Sequence, residues 1–259
     1  MSSSRFSLVK WYLDCVTASG EVAILYSAVV HWRAIGISYC SYLNVDDARN
    51  ESRSTMHAAE IHADGQRLLI DSPELKLNGE WTATAQEVKQ TVFETEAGSV
   101  VWDCVQPGSQ VRVRVGEREL TGTGYAEVLS LSLPPWQLPL KHLRWGRFVT
   151  DRDTVAWIDW QGPHSLRLAF DNGERCTPFA VSDSVVSMGT SELRMSEPLR
   201  LRAGRLGQTV VPAARGLAKL FPKLMFNIEE RKWRSRGTFV TPQGESHGWV
   251  IHEAVDWNL

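Results

Sequence analysis

Gly124-Tyr125-Ala126-Glu127-Val128-Leu129-Ser130-Leu131-Ser132-Leu133 alternates in polarity and size, and Pro134-Pro135-Trp136 connects it to Leu143-Arg144-Trp145-Gly146-Arg147. Side chains of a β-strand point to opposite faces in turn, so Tyr125, Glu127, Leu129, Leu131 and Leu133 share one face. Gly124, Ala126, Val128, Ser130 and Ser132 share the other. A carboxyl group thus stands in the more apolar row, where ionisation is costly without a compensating partner. Glu127 is the first candidate for chemistry.

Reading outward, the same grammar recurs. Residues 11–16 and 21–32 flank Thr17-Ala18-Ser19-Gly20, a hairpin loop, and 34–43 is again rich in aromatic and β-branched residues. Residues 44–54 are polar and read as a loop. Strands follow at 55–62, 66–71, 80–94 and 99–105. Gln106-Pro107-Gly108-Ser109 reads as the turn of a hairpin spanning 101–115. Pro134, Pro135 and Pro139 lack the ladder donor and mark a boundary.

Beyond it come a hairpin about Gln161-Gly162-Pro163-His164, a turn at Asp171-Asn172-Gly173, and short strands at 178–187, 192–194, 199–203 and 207–211. Residues 212–227 read as a short broken helix or an ordered loop. A closing hairpin turns at Pro242-Gln243-Gly244. The pattern predicts an all-β chain, with barrels preferred over a sandwich or propeller because closure removes sheet edges and no blade period is visible. Two barrels are expected, at 1–138 and 139–259.

Composition bounds the function. A formal net charge of −2 over 259 residues, with acids and bases interleaved as in Arg112-Val113-Arg114-Val115-Gly116-Glu117-Arg118-Glu119, argues against a nucleic-acid partner. No apolar run reaches membrane-spanning length, and the N-terminus lacks an apolar signal core, so a cytoplasmic location without membrane insertion is expected. The four cysteines are far apart and are expected as buried free thiols. His57 with His62, and His247 with His252, are spaced to opposite strand faces, so neither a metal nor a cofactor is expected. Nucleophile elbow, phosphate loop and zinc helix signatures are absent. Eleven tryptophans suit either a large core or the lining of a pocket for an apolar ligand.

Further candidates follow from their rows. Tyr125 shares the face of Glu127. Asp159, in Val155-Ala156-Trp157-Ile158-Asp159-Trp160, sits in a run apolar on both faces; a strand buried on both sides, or at an interface of two barrels, would accommodate it. Trp249, Ile251, Glu253, Val255 and Trp257 form a second apolar row containing a glutamate. His252, on the opposite face, reads as a surface or interface residue. The alternative for Glu127 is an ion pair with Arg144 or Arg147 that ties the strand down.

Together Lys10-Trp11-Tyr12-Leu13-Asp14-Cys15, Gly124-Tyr125-Ala126-Glu127, Leu143-Arg144-Trp145-Gly146-Arg147-Phe148 and Gly248-Trp249-Val250-Ile251-His252-Glu253 resemble the carotenoid 1,2-hydratase (hydroxyneurosporene synthase) and AttH-type family of tandem lipocalin-like proteins. The resemblance implies two lipocalin-like barrels, a ligand cavity in or between them, and relatives that hydrate isoprenoid double bonds or cyclise polyenes. Joined to the residue reading, it gives an enzyme for an apolar isoprenoid or polyene. Glu127 or Asp159, with Tyr125, would protonate a carbon–carbon double bond. Trp136, Trp145, Trp157 and Trp249, with Arg147 and Glu253, would line the site, and aromatic faces would stabilise a carbocation. The alternatives are a pericyclic, Diels–Alder-type cyclase and a non-enzymatic carrier of a hydrophobic small molecule. Oligomeric state is not encoded legibly.

Overall fold

The computed structural model describes residues 6–177, 179–205 and 228–257. The expected broken helix at 212–227 and strand at 207–211 lie outside the described residues. The chain divides into two compact units, 1–137 and 138–259. Each is an antiparallel sheet curled around its own apolar cluster, giving consecutive lipocalin-like barrels.

In unit 1, β1 (Phe6–Val16), β2 (Val22–Trp32), β3 (Ile35–Val45) and β4 (Asn50–Thr55) form a meander. β5 (Glu60–Asp64), β6 (Arg67–Ser72), β7 (Leu77–Ala83) and β8 (Val88–Thr95) follow, and β9 (Gly98–Val115) and β10 (Arg118–Leu131) complete the sheet. The strand order is β4-β3-β2-β1-β10-β9-β7-β6-β5, with β8 also pairing β9. Leu13, Leu25, Tyr42, Leu68, Trp81, Val111, Val113 and Ala126 are among the side chains that fill the interior.

Two local expectations are corrected. Residues 44–54 are not simply a loop, because β3 runs to Val45 and β4 starts at Asn50. Gln106-Pro107-Gly108-Ser109 is not a turn but the middle of the continuous strand β9. Register shifts at Ala126 on β10 and the change of the other neighbour from β7 to β8 both fall beside this stretch. An irregular stretch of ladder needs no amide from Pro107, so a residue that favours turns is tolerated in mid-strand.

In unit 2, β11 (His142–Val149), β12 (Thr154–Gln161), β13 (Leu166–Asp171) and β14 (Glu174–Arg175) lead to β15 (Phe179–Val181) and β16 (Val185–Met188). Long strands β17 (Ser191–Arg205), β18 (Glu229–Thr241) and β19 (Gly244–Asp256) close the order β14-β13-β12-β11-β19-β18-β17-β16-β15. Phe148, Val155, Trp157, Leu193, Phe239 and Val250 pack inside. Gly146 is required there, because a Cβ on it would meet Trp157 Cζ2 at 2.2 Å.

The strands nearest the middle of each sheet are buried on both faces. Residues 12–16 of β1, 22–27 of β2, 145–149 of β11 and 154–160 of β12 are buried without interruption. Doubly buried strands lose polar alternation, which is why the Val155–Trp160 run is apolar on both faces apart from Asp159. No helix among the described residues is long and apolar enough to cross a membrane.

Candidate functional site

Gly124, Tyr125, Ala126 and Glu127, in the middle of β10, divide their labour by face. Ala126 pairs with Leu13 and points into the barrel core. Tyr125 and Glu127 point to the opposite face, paired with Asp14 and Tyr12 of β1. Gly124 makes the strand contact possible, since a Cβ there would lie 2.1 Å from the carbonyl oxygen of Asp14. The same carbonyl accepts a hydrogen bond from Trp81 Nε1 at 2.9 Å, anchoring β1 from within the core.

On this outer face a polar and aromatic cluster forms. Tyr125 Oη donates to Glu127 Oε2 at 2.7 Å, and Trp102 Nε1 of β9 donates to the same oxygen at 2.5 Å. Tyr12 Oη donates to Asp14 Oδ2 at 2.8 Å. The Tyr12 ring meets that of Tyr26 edge-on at 5.4 Å and that of Tyr125 at 6.1 Å. Lys10 Nζ lies 5.0 Å from the Tyr26 ring centre, so that ring already receives a cation.

Burial, and then the neighbouring Cys104 and Glu127, push the Tyr125 phenol well above its ordinary range. It therefore stays protonated and remains a donor. Burial likewise pushes up the Cys104 thiol beside it, which removes its nucleophilic character. Two donors thus converge on Glu127 Oε2. In unit 2, Arg144 pairs with Asp183 at 2.9 Å, and Arg147 donates to the carbonyl of Trp249 at 2.9 Å.

The remaining candidates separate. Trp136 packs edge-on against Phe6 and Trp32, at 6.0 and 5.1 Å, in unit 1. Trp157 and Asp159 face the interior of unit 2. Asp159 is 2% exposed and accepts from Gln161 Nε2 of its own strand at 2.6 Å and from Arg167 Nε at 3.2 Å, the latter bond linking β12 to β13. Trp145, Arg147, Trp249 and Glu253 gather on the other face of unit 2, through the register of β11 with β19. Lys232 of β18 joins them, 2.5 Å from Glu253 Oε2 and 5.0 Å from the Trp145 ring centre. The guanidinium groups of Arg234 and Arg236 lie 4.6 and 4.8 Å from the Trp249 ring centre. Tyr12, Asp14, Trp102 and Lys232 were not among the residues singled out. Tyr12 and Asp14 carry a legible signal, an acid two residues from a phenol, as in Tyr125 and Glu127.

His252, read from the sequence as a surface or interface residue, is half-buried on β19. Its ring stacks on Trp233 at 5.3 Å with 22° between planes, and Nε2 shares a 2.9 Å hydrogen bond with Ser235 Oγ. Desolvation lowers its pKa to about 4, from 6.5, with Lys232 and Arg144 adding to the effect and Asp183 opposing it. The fold therefore prefers neutral imidazole. Its contribution to stability is complete above pH 6.5 and is lost as pH falls towards 4, by at most about 3 kcal/mol. The melting temperature should fall through that window, and His252→Gln should flatten the fall when both are followed by calorimetry.

No protein-family model and no curated protein matches the chain in sequence. Solved structures match it in fold. An AttH protein from Nitrosomonas europaea aligns with a TM-score of 0.55 at 11% identity, covering 100% of this chain and 94% of its own. Kievitone hydratase from Nectria haematococca aligns with 0.56 at 10%, covering 99% and 90%. CghA, solved with Sch210972, aligns with 0.54 at 8%, covering 99% and 89%. Identities this low carry architecture rather than activity. The chain shares the tandem lipocalin-like fold of these three proteins.

Proposed function

We propose that this protein is a cofactor-independent enzyme that protonates a carbon–carbon double bond of an apolar isoprenoid or polyene, giving hydration or cyclisation. The observation that carries this reading is the convergence of Tyr125 Oη and Trp102 Nε1 on Glu127 Oε2. Two donors on one oxygen fix the plane of the carboxyl group, so a proton carried by it is held in a defined direction. Membership of the fold by a hydratase, and by a protein solved with a small molecule, supports the reading.

In the first step the proton of the Glu127 carboxyl group passes to one alkene carbon. The π pair forms the new C–H bond and leaves a carbocation on the neighbouring carbon. Aromatic rings such as that of Trp102 offer electron-rich faces to that charge. In hydration, water forms a C–O bond to the cation and surrenders its extra proton to the Glu127 carboxylate, restoring the acid. In cyclisation, a second double bond of the ligand forms a C–C bond instead, and a C–H proton returns to Glu127.

Native mass spectrometry of the purified protein, followed by incubation with a panel of isoprenoid and polyene alkenes, tests the class. Expected products carry the mass of one added water or are ring isomers of unchanged mass. A ligand that binds and quenches tryptophan fluorescence but leaves chemically unaltered would make the protein a carrier and overturn the enzymatic reading.

A further inference from the structure

Arg144, near the start of β11, shares a strand face with Gly146 and Phe148, and Phe148 lies in the apolar core of unit 2. Four residues of strand, about 13 Å, carry the guanidinium from that core to the rim of the barrel. Its side chain is 27% exposed, whereas that of its ion-pair partner Asp183 is 95% exposed.

The two members of the pair are held very differently. Arg144 Nε donates to His142 Nε2 at 3.3 Å, and His142 Nδ1 lies 2.8 Å from Asp256 Oδ1. A guanidinium only donates, so His142 Nε2 carries the lone pair and Nδ1–H donates to Asp256. Arg231 pairs with the other oxygen of Asp256, and Arg144 Nη1 reaches the carbonyl of Val181 at 3.5 Å. Side chains of β18, β19 and β11 thus fix the guanidinium and leave Nη2 for the carboxylate.

Asp183 has no such frame. It lies in the connection from β15 to β16, which is built without its side chain: Ser182 Oγ accepts from Val185 N at 3.0 Å, Ser182 N donates to the carbonyl of Val185 at 2.8 Å, and Met195 N donates to that of Ser184 at 2.7 Å. The Asp183 carboxylate can turn into water while this backbone stays in place, and an exposed ion pair holds it only weakly. Asp159, opposite Arg144 on β12, does not replace it, because its oxygens accept from Gln161 and Arg167. With Asp183 turned away, no acid among the described residues is bonded to Arg144, and the rim gains a positive charge. Ring surface adjoins that charge, since His252, stacked on Trp233, is the diagonal neighbour of Arg144 across β11 and β19.

We propose that Arg144 is a binding site for the carboxylate of a small aromatic acid, and that Asp183 occupies it in the free protein as a displaceable stand-in. The site belongs to unit 2 and does not rest on the reading of Glu127.

The test is an NMR titration of ¹⁵N-labelled protein with benzoate, and with benzamide as the uncharged control, followed at the Arg144 Nε–H signal and the backbone amides of Ser182, Asp183 and Ser184. Benzoate should shift these signals saturably in the wild type. In Asp183→Asn it should bind about 5-fold more tightly, the upper end of what an exposed ion pair withholds. Benzamide should leave the signals in place, and Arg144→Gln should abolish the response of the amides. No saturable shift in Asp183→Asn, equal affinity in Asp183→Asn and the wild type, or an equal response to benzamide would overturn the proposal. Asp183→Asn changes only an exposed side chain, so these comparisons decide the matter even where Arg144→Gln does not fold.

Discussion

Glu127→Gln is expected to lower turnover of an alkene substrate by about 10²–10⁴-fold, the range that a positioned acid or base supplies. The substitution is nearly isosteric. The amide oxygen can still accept from Tyr125 Oη and Trp102 Nε1, so the bonds that hold the side chain in place survive. What the amide cannot do is deliver a proton from its second heteroatom. Binding should therefore change little while kcat falls, which separates lost chemistry from lost structure. Tyr125→Phe should cost less, about 10-fold, because it removes one of the two bonds that hold the carboxyl group and leaves the acid itself. Substrate disappearance followed by mass spectrometry, with binding measured by tryptophan fluorescence, reads both quantities.

Gly124→Ala is expected to produce the largest loss of stability among single-methyl changes at the site. The added Cβ would sit 2.1 Å from the Asp14 carbonyl oxygen and 2.5 Å from Val111 Cγ2. Neither neighbour is the free end of a flexible chain. One is backbone already committed to Trp81, and the other is packed in the core. The β1–β10 pairing must open to relieve the contact, at a cost of about 2–4 kcal/mol. That corresponds to a fall in melting temperature on the order of 10 °C for a unit of this size. Gly36→Ala is the control, since its nearest neighbours are His31 ring atoms at 3.4 and 3.5 Å, and should be almost neutral. A thermal scan of the three proteins decides the matter, and equal melting temperatures would contradict the role assigned to Gly124.

Much of the architecture is legible along the chain because antiparallel meanders are local. Thr17-Ala18-Ser19-Gly20 joins β1 to β2, Gln161-Gly162-Pro163-His164 lies between β12 and β13, and Pro242-Gln243-Gly244 leads from β18 into β19. Alternation also separates Ala126 from Tyr125 and Glu127 correctly. It does not say which face is the core when a strand is buried on both. Glu127 and its leucine row stand opposite the barrel interior, and the small residue Ala126 is the one inside.

Pro107 illustrates a different failure. Its turn preference is real, but the neighbouring strands change partner and register beside it, and that context is invisible locally. Asp14 was hidden for a third reason. Its place in the cluster comes from lying opposite Tyr125, more than one hundred positions away, and register between distant strands cannot be read from either strand alone. His252 shares that origin, since Trp233 and Ser235 reach it from β18. Asp159, by contrast, had a readable neighbourhood on its own strand, and Gln161 two residues on is one of the two groups that bind it.

The central claim is that Glu127 gives a proton to carbon. It is tested most directly by running the reaction in D₂O and locating deuterium in the product by mass spectrometry and NMR. One deuterium is expected in a new, non-exchangeable C–D bond of a hydration product, and that product is expected to be lost with Glu127→Gln at unchanged fold. A ring product formed at full rate without deuterium, or deuterium incorporation undiminished in Glu127→Gln, would contradict it.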